Sequence, residues 1–190
     1  MNPNYSIVTN FFIDDDESLQ RMKDSLTSFK NAKSEMWIIN IRGNYKYQAS
    51  SYIQNNLKNK CKISFLDFND WQKETRIILS NLNTKFIFYW VEDHILQTDS
   101  NVLDTVILEM EDAQSDLLLY TFYCFGYHKN AYETLNLNIL KSDKNIDTFL
   151  LNSSTYYQIN NLREKFPLIN QYITSLPSIF SKKLFMTLLN

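Results

Sequence analysis

The sequence predicts an α/β protein with a central, mostly parallel sheet of about five to seven strands and helices packed on both faces. Short runs rich in β-branched and aromatic residues alternate with amphipathic helical segments along the first two thirds of the chain. These runs recur roughly every 25–30 residues, which is the period of repeated βαβ units. The most apolar run, Lys85–Val91, has no polar face, as is typical of a central strand in a parallel sheet.

The predicted strands are apolar runs bounded by polar residues or turn signals. Gly43 closes the second run, and Pro177 favours an edge position for the last because proline cannot donate to a strand ladder. Between Cys124 and Leu162 the pattern is weak, and we expect loops, a short helix and an antiparallel strand near Thr148–Leu151. The predicted strands are Tyr5–Phe12, Met36–Ile41, Lys62–Asp67, Lys85–Val91, Asp116–Tyr123 and Tyr172–Ile179.

The predicted helices lie between these strands and carry apolar residues at spacings of three and four. The first follows the acidic run Asp14–Glu17, a placement that the helix dipole favours. A last helix is predicted over Ser181–Leu189. The predicted inward faces are Leu19, Met22, Leu26 and Phe29; Ala49, Tyr52, Ile53 and Leu57; Trp71, Thr75, Ile78 and Leu82; and Val102, Val106, Met110 and Ala113.

Composition narrows the classes of function. The 190 residues carry 19 basic and 21 acidic side chains, and this balance argues against an extended nucleic-acid-binding surface. The only glycines are Gly43 and Gly126, so neither kind of glycine-rich phosphate loop is present. Two histidines and two cysteines are too few for a Cys-rich or three-His zinc site. Phosphate or metal must therefore be bound by carboxylates, hydroxyls or helix ends.

The chain shows no targeting signal. Residues Met1–Phe12 lack the basic n-region of a signal peptide. The longest uncharged apolar stretch, Leu117–Tyr127, is far shorter than the roughly 20 residues of a spanning helix. We therefore expect a cytoplasmic protein, and Lys182-Lys183 on the apolar last helix suggests peripheral contact with the inner face of the membrane. The alternative is that the two lysines form an ordinary solvated face.

An acidic triplet, Glu92-Asp93-His94, directly follows the most apolar strand. Open parallel sheets bind ligands outside the carboxyl ends of their strands. Hard divalent cations take carboxylate oxygens, and imidazole favours Mn²⁺ over Mg²⁺. The triplet predicts a Mn²⁺ or Mg²⁺ anchor for a diphosphate; the alternative is that Glu92 caps the next helix and His94 is a surface histidine. Other polar residues at predicted strand ends are Thr9, Asn10, Arg42, Asp67, Asn69 and Tyr123.

Three segments together resemble the nucleotide-diphospho-sugar transferase superfamily, the glycosyltransferases with an A-type fold, in its bacterial polysaccharide branch. The run Ser6-Ile-Val-Thr-Asn10 resembles the family's first strand, S-[IV]-[IV]-x-[TN]. Trp71, Thr75-Arg76 and the strand ending in Glu92-Asp93-His94 resemble the segment that leads into the D-x-D motif, of which the triplet looks like a variant. Ser175–Phe185 resembles the S-L-x-P segment that borders the acceptor pocket.

The resemblance implies a Rossmann-like A-type fold and a glycosyltransferase of surface polysaccharide synthesis. It implies transfer of a sugar from a nucleotide-diphospho-sugar donor to a glycan or lipid-linked acceptor, with Mn²⁺ or Mg²⁺ as cofactor. With the strand-end residues included, the expected nucleotide-sugar contacts are Thr9, Asn10, Phe11, Arg42, Asp67, Arg76, Glu92 and Asp93; the metal ligands are Asp93 and His94; and the acceptor side is Tyr123, Ser175 and Ser178.

We expect one domain over residues 1–190, with a nucleotide-sugar-binding half at 1–123 and an acceptor-side half at 124–190. Inverting members of the family take a general base from an acidic motif after the S-L-x-P segment, and no such motif occurs before Asn190. Three alternatives are open: the base comes from elsewhere in the chain, the acceptor half is incomplete, or the protein is inactive. The base is left unassigned among Glu133, Asp143, Asp147 and Glu164. The last helix is expected to be available for contact with a second copy.

The chain departs from the family pattern at two places. Members usually carry Asp near the end of the second strand, where this chain has Arg42-Gly43-Asn44, and Glu and His replace the outer acids of D-x-D. One alternative is therefore a catalytically degenerate relative that acts as a binding or assembly module. Another is an unrelated doubly wound protein, such as a response regulator, in which Asp14-Asp15 and Asp67 would form the acidic site.

Overall fold

The computed structural model describes residues 4–29, 31–57, 60–96, 98–119, 139–150, 152–154, 157–158, 161 and 178–189. Strands and helices alternate through the first part of the chain, as the sequence pattern predicts. The elements are β1 Tyr5–Phe12, α1 Asp16–Ser28, β2 Trp37–Arg42, α2 Lys46–Leu57, β3 Cys61–Ser64, α3 Phe68–Ser80, β4 Phe86–Trp90, α4 Ser100–Asp112, β5 Leu117–Leu119, β6 Ile139–Ser142, β7 Asp147–Phe149, β8 Ser178–Ser181 and α5 Lys182–Leu188.

Six strands form the central sheet in the order β3-β2-β1-β4-β8-β5, and β6 and β7 form a separate antiparallel pair. Strands β1 to β4 pair in parallel, and β8 runs antiparallel to both β4 and β5. The predicted mostly parallel α/β sheet is therefore confirmed. The order also differs from the all-parallel 2-1-3-4-5 order of response regulators, which removes that alternative.

The late strand occupies a different place from the predicted one. Ser178–Ser181 pairs with a strand on each side, so it lies inside the sheet and not at its edge. The edge prediction rested on Pro177, which lies outside the described residues. The paired residues begin at Ser178, directly after that proline, so none of the ladder positions described here is a proline.

The sheet is covered on both faces, and the side chains of each strand alternate between two cores. On one face, Ile7, Phe88 and Trp90 pack with the apolar stripes of α1, α2 and α4. On the other, Val8 and Ile87 pack with α3 and α5, whose contributions include Trp71 and Phe185. This two-sided burial explains why β4 has no polar face in the sequence.

Helix α4 buries a different stripe from the predicted one. Val106 and Met110 are buried as expected, whereas Val102 is 39% exposed. Leu103 and Ile107 take the inward positions instead. Both stripes have helical spacing, because apolar residues occupy adjacent positions at 102–103 and 106–107.

A tight connection locks the ends of β1 and β2 together. Gly43 has a φ of +96°, and a Cβ atom at this position would collide with the Ile13 carbonyl. The Ile13 amide donates to the Arg42 carbonyl at 2.9 Å, and the Tyr45 amide donates to the Ile13 carbonyl at 3.0 Å. Only glycine fits both the left-handed backbone and the close approach. The position of Arg42 at this edge is therefore fixed by its backbone.

The acidic run after β1 begins a helix, as predicted. Asp15 is the N-cap of α1, and its side chain accepts a hydrogen bond from the Ser18 amide at 2.7 Å. Asp14 accepts a hydrogen bond from the Asn44 amide at 3.1 Å. These acids therefore have structural partners at the helix start. Within the described residues, none of the helices is long and apolar enough to cross a membrane.

Candidate functional site

Polar side chains line the carboxyl ends of the first three strands on the α3 face of the sheet. Asn10, Asn40 and Ser64 are partners in register across β1, β2 and β3. Because directly paired residues project to the same face, the three side chains form a row. The residues preceding them by two, Val8 and Ile38, lie in the core beneath α3. The sheet therefore changes from apolar to polar at this edge.

Asn40 is the centre of that row, although it was not among the predicted site residues. Its Nδ2 donates to Asn10 Oδ1 at 2.9 Å and to the Leu66 carbonyl at 2.8 Å. Its Oδ1 accepts from Ser64 Oγ at 3.0 Å and from the Leu66 amide at 2.8 Å. The amide thus joins three strand ends and the start of the β3–α3 connection. The signal in the sequence was a single polar residue inside the apolar run 37–41.

Glu92 lies where the sheet order changes direction between β1 and β4. Its side chain is only partly exposed, and burial raises the pKa of its carboxyl above the ordinary value, with the charge of Asp93 adding to the effect. Its own backbone amide, the Phe12 backbone and the charge of Arg21 on α1 act in the opposite direction. Glu92 therefore lies near the end of β1, at the switch point.

Asp93 and His94 form a pair on the outer side of the same turn. Asp93 Oδ1 and His94 Nδ1 are 2.6 Å apart, and the two side chains are 57% and 20% exposed. The imidazole also meets the indole of Trp90 edge to face, with ring centroids 6.0 Å apart. Glu92 is not the cap of the next helix, since Asp99 caps α4 by accepting from the Asn101 amide. The part of the alternative interpretation that makes Glu92 a helix cap is therefore wrong.

Helix α1 holds the turn at both ends through two serines. Trp90 Nε1 donates to Ser25 Oγ at 2.7 Å before the turn, and the Leu96 amide donates to Ser28 Oγ at 2.9 Å after it. The His94 amide lies 3.4 Å from the Val91 carbonyl within the turn. The acidic triplet is therefore placed by fixed contacts on either side.

The Arg42 side chain extends from the end of β2 to the side of β1. Its guanidinium carbon lies 5.8 Å from the ring centroid of Phe12, which is 51% exposed. Tyr89 on β4 lies on the same face of the sheet. Burial raises the pKa of the Tyr89 hydroxyl, the charge of Glu92 adds to the rise, and the charge of Arg42 opposes it. The charges of Arg42 and Glu92 thus both act on the Tyr89 hydroxyl, in opposite directions.

Two of the predicted nucleotide contacts lie in the wrong place for their side chains to meet a ligand. Phe11 is buried in the core formed with α1 and α2, and Thr9 is buried on the same face. The predicted contacts fell on both faces of β1, and alternation turns these two away from the polar row. Phe12 and Asn10 are the residues of β1 that reach the α3 face at this end.

The predicted residues on α3 are separated by the course of the helix. Asp67 is the exposed N-cap residue of α3, and its side chain makes no capping hydrogen bond. Asp67 follows Leu66, whose backbone is hydrogen-bonded to the Asn40 side chain, so Asp67 lies at the polar edge. Arg76 is exposed on the third turn, about 12 Å further along an axis that leads away from this edge. The structure does not bring Arg76 together with Asn10 and Glu92.

On the predicted acceptor side, only Ser178 is among the described residues; Tyr123 and Ser175 lie outside them. Ser178 pairs with Tyr89 and is fully buried. Of the four remaining carboxylates, Glu133 and Glu164 also lie outside the described residues. Asp143 pairs with Lys141, and Asp147 accepts a hydrogen bond from Ser142, both within the β6–β7 pair.

The donors for a metal ion are few. Among the described residues, no group of three or more His, Cys, Asp or Glu side chains could hold a metal ion. Asp93 and His94 provide one carboxylate and one imidazole, and they contact each other. This donor set fits a partial anchor for Mn²⁺, in which substrate phosphates and water complete the shell. It does not fit a protein-only cage.

No family model and no curated protein matches the chain. Among solved structures, it is similar to S. aureus TarS 1–349 in complex with UDP-GlcNAc, with 14% identity and a TM-score of 0.43 over 61% of this chain and 33% of that one. It is similar to the 4-diphosphocytidyl-2C-methyl-D-erythritol synthase of Anaerococcus prevotii, with 9% identity and a TM-score of 0.45 over 96% and 73%.

A third similar structure is CMP:2-keto-3-deoxy-manno-octonic acid synthetase in complex with CTP, with 7% identity and a TM-score of 0.49 over 97% and 77% of the two chains. The match spans only about a third of the TarS fragment. At TM-scores below 0.5 these likenesses are weak, and the fold class rests on the strand order itself.

Proposed function

We propose that this protein is a transferase that uses a nucleotide-diphospho-sugar donor, and that it passes the sugar to a hydroxyl of a glycan or lipid-linked acceptor. The observation that carries the proposal is the position of the acidic triplet. Glu92-Asp93-His94 follows the central strand β4 at the switch point, and Glu92 is partly buried near the end of β1. This is where open α/β sheets bind nucleotides.

The neighbouring side chains suit the parts of such a donor. The amides of Asn10 and Asn40 and the exposed Asp67 offer polar contacts to a nucleoside along the ends of β1 to β3. Arg42 provides a positive charge beside them, and Phe12 an exposed ring. The resemblance of the triplet to the D-x-D motif supports the same assignment.

The chemistry would be governed by charge at the leaving group. In sugar transfer the nucleoside diphosphate departs as a concentrated anion, and preorganised positive groups near it lower the barrier. Asp93 and His94 would hold a divalent ion, which when bound supplies Lewis-acid stabilisation of the diphosphate. The half-buried Glu92 would orient the donor from the β1 side. No described carboxylate is assigned as the general base.

A thermal-shift screen tests the proposal, because a ligand that binds the folded state raises its apparent stability by mass action. Nucleotide sugars and nucleoside diphosphates are added with and without Mn²⁺. We expect stabilisation by one class of nucleotide, a larger effect with Mn²⁺, and loss of both in the double variant Glu92→Ala/His94→Ala. The matched control is Lys183→Gln, an exposed residue on α5. Failure of every nucleotide to bind the wild-type protein would exclude the function.

A second candidate is a catalytically degenerate relative that keeps donor binding and acts as a binding or assembly module. It is favoured by Asp143 and Asp147, since both are engaged within the β6–β7 pair. Incubation with the donor identified by the screen separates the two functions. Release of nucleoside diphosphate supports the transferase, whereas binding without release at high protein concentration, together with a stable oligomer, supports the module.

A further inference from the structure

Arg42 ends strand β2, one strand away from the switch point, and has no counter-ion among the residues that the structure describes. No described carboxylate forms an ion pair with it, and its Nε is buried without a hydrogen-bond partner among the described residues. A guanidinium offers five donors and stays protonated at any physiological pH. Apart from the Phe12 ring, the described residues give this partly buried charge no partner, which is unfavourable and indicates a ligand outside the fold.

The direction of the side chain points to a ligand at the crevice. Strands lie about 4.8 Å apart, and the guanidinium carbon of Arg42 lies 5.8 Å from the Phe12 ring on the neighbouring strand. The guanidinium therefore lies beside the end of β1, and its charge acts on the Tyr89 hydroxyl of β4. The bond from the Ile13 amide fixes the backbone from which the side chain extends.

The other charges at this edge make Arg42 distinctive. Arg21 on α1 is already paired with Glu17 at 2.6 Å. Glu92, Asp93 and Asp67 are carboxylates, and they would repel an anion. Lys46 at the start of α2 has its Nζ over the rings of Tyr47 and Phe65. The guanidinium of Arg42 is therefore the described cation beside the end of β1 that is available for an anionic ligand.

We propose that Arg42 binds the diphosphate of the donor directly, so that the protein retains affinity for the diphosphate without a divalent ion. This rests on the proposed function, which it deepens by giving the leaving group a protein partner. A guanidinium matches phosphate oxygens in two parallel hydrogen bonds, which lysine cannot reproduce. A metal at Asp93 and His94 would then add to binding and would not be required for it.

The experiment measures binding by calorimetry in EDTA, with inorganic pyrophosphate, with UDP, GDP and CDP, and with the matching nucleosides. The variants are Arg42→Gln, Arg42→Lys and the control Lys183→Gln. We expect wild-type binding of pyrophosphate and of one diphosphate, and a loss of about tenfold or more in Arg42→Gln, since a charge-assisted hydrogen bond is removed. Nucleoside affinity should change less than about twofold in Arg42→Gln. Arg42→Lys should keep only part of the wild-type affinity for pyrophosphate and the diphosphate.

The outcomes separate this inference from the proposed function. Equal losses for diphosphate and nucleoside, or no wild-type diphosphate binding until Mn²⁺ is added, would overturn the role of Arg42 while leaving the function intact. Binding of pyrophosphate that depends on Arg42, without binding of any nucleotide, would support the anion site and exclude the function. The melting temperature of apo Arg42→Gln should fall by no more than about 1–4 °C, because the described contact that is lost, with the exposed Phe12 ring, is a weak one; a larger fall would indicate a structural role.

Discussion

Trp90 Nε1 donates a 2.7 Å hydrogen bond to Ser25 Oγ, and this bond joins the last residue of β4 to helix α1. Both side chains are buried. Indole N–H groups in protein interiors are almost always paired, so the serine is matched to the tryptophan across 65 residues of sequence. The contact fixes the strand end from which the acidic triplet departs.

Ser25→Ala should lower the free energy of unfolding by about 1–3 kcal/mol, because it leaves a buried donor without an acceptor. Urea unfolding of the single variants and of Ser25→Ala/Trp90→Phe gives the coupling between the two side chains. We expect the double variant to lose less than the sum of the two single losses. Strict additivity would show that the bond contributes nothing.

Gly43→Ala tests the lock between β1 and β2. The φ of +96° and the approach of the Ile13 carbonyl leave no room for a Cβ atom, so the backbone must shift. We expect a loss of about 2–4 kcal/mol in urea unfolding. The matched control is Asn44→Ala. Asn44 is exposed, and its hydrogen bond to Asp14 comes from the backbone amide, which alanine keeps. Equal losses in the two variants would contradict the steric argument.

Asn40→Asp should be among the most damaging polar substitutions in the sheet. It replaces the two hydrogen bonds that Nδ2 donates, to Asn10 and to the Leu66 carbonyl, by a buried carboxylate facing acceptors. We expect a loss of about 2–5 kcal/mol. Ser64→Ala removes one bond of the same network and should cost about 1 kcal/mol. A smaller loss for Asn40→Asp than for Ser64→Ala would show that Asn40 is not the centre of the network.

Much of the architecture could be predicted because it depends on local pattern. The strand Tyr5–Phe12 and the buried face Leu19, Met22, Leu26 and Phe29 are observed as the spacing predicts. In α4 the prediction failed because two apolar stripes are available, and packing against the sheet selects Leu103 over Val102. Period alone cannot choose between adjacent apolar positions.

The sequence could place candidate site residues along the chain, but it could not give the face of the sheet to which their side chains point. That the acidic triplet follows a central strand was predicted from the apolar run Lys85–Val91, whereas the switch point beside β4 is given only by the strand order of the structure. For β1, however, both faces are covered, so alternation gives no sign of which residues meet the ligand edge. Thr9, Asn10 and Phe11 were expected at the site; Thr9 and Phe11 are buried on the opposite face, and Asn10 shares the α3 face with Phe12. The hydrogen-bonding partners of Asn40 are separated from it by up to 30 residues, which local pattern does not encode.

The turn residue Glu92 should weaken the fold at neutral pH. Burial raises the pKa of its carboxyl above the value in the unfolded chain. The folded state therefore favours the protonated form, and the contribution of Glu92 to stability is greatest below its ordinary pKa and is lost as the pH rises through the raised pKa. Glu92→Gln keeps the shape without the charge. Its melting temperature should exceed that of the wild type by about 1–3 °C at pH near 8, and the advantage should disappear at about pH 4.

Two further measurements distinguish charge from shape at Glu92. Glu92→Ala also removes the carboxylate, so its melting temperature relative to the wild type should change with pH in the same direction as that of Glu92→Gln. It should be lower than that of Glu92→Gln at every pH, because packing is lost as well. If the protein binds nucleotide through this turn, Glu92→Gln should bind more weakly although it is more stable, as is common when a site residue is held at the expense of the fold. A Glu92→Gln variant that melts below the wild type at pH near 8 would show that the ionised carboxylate stabilises the turn.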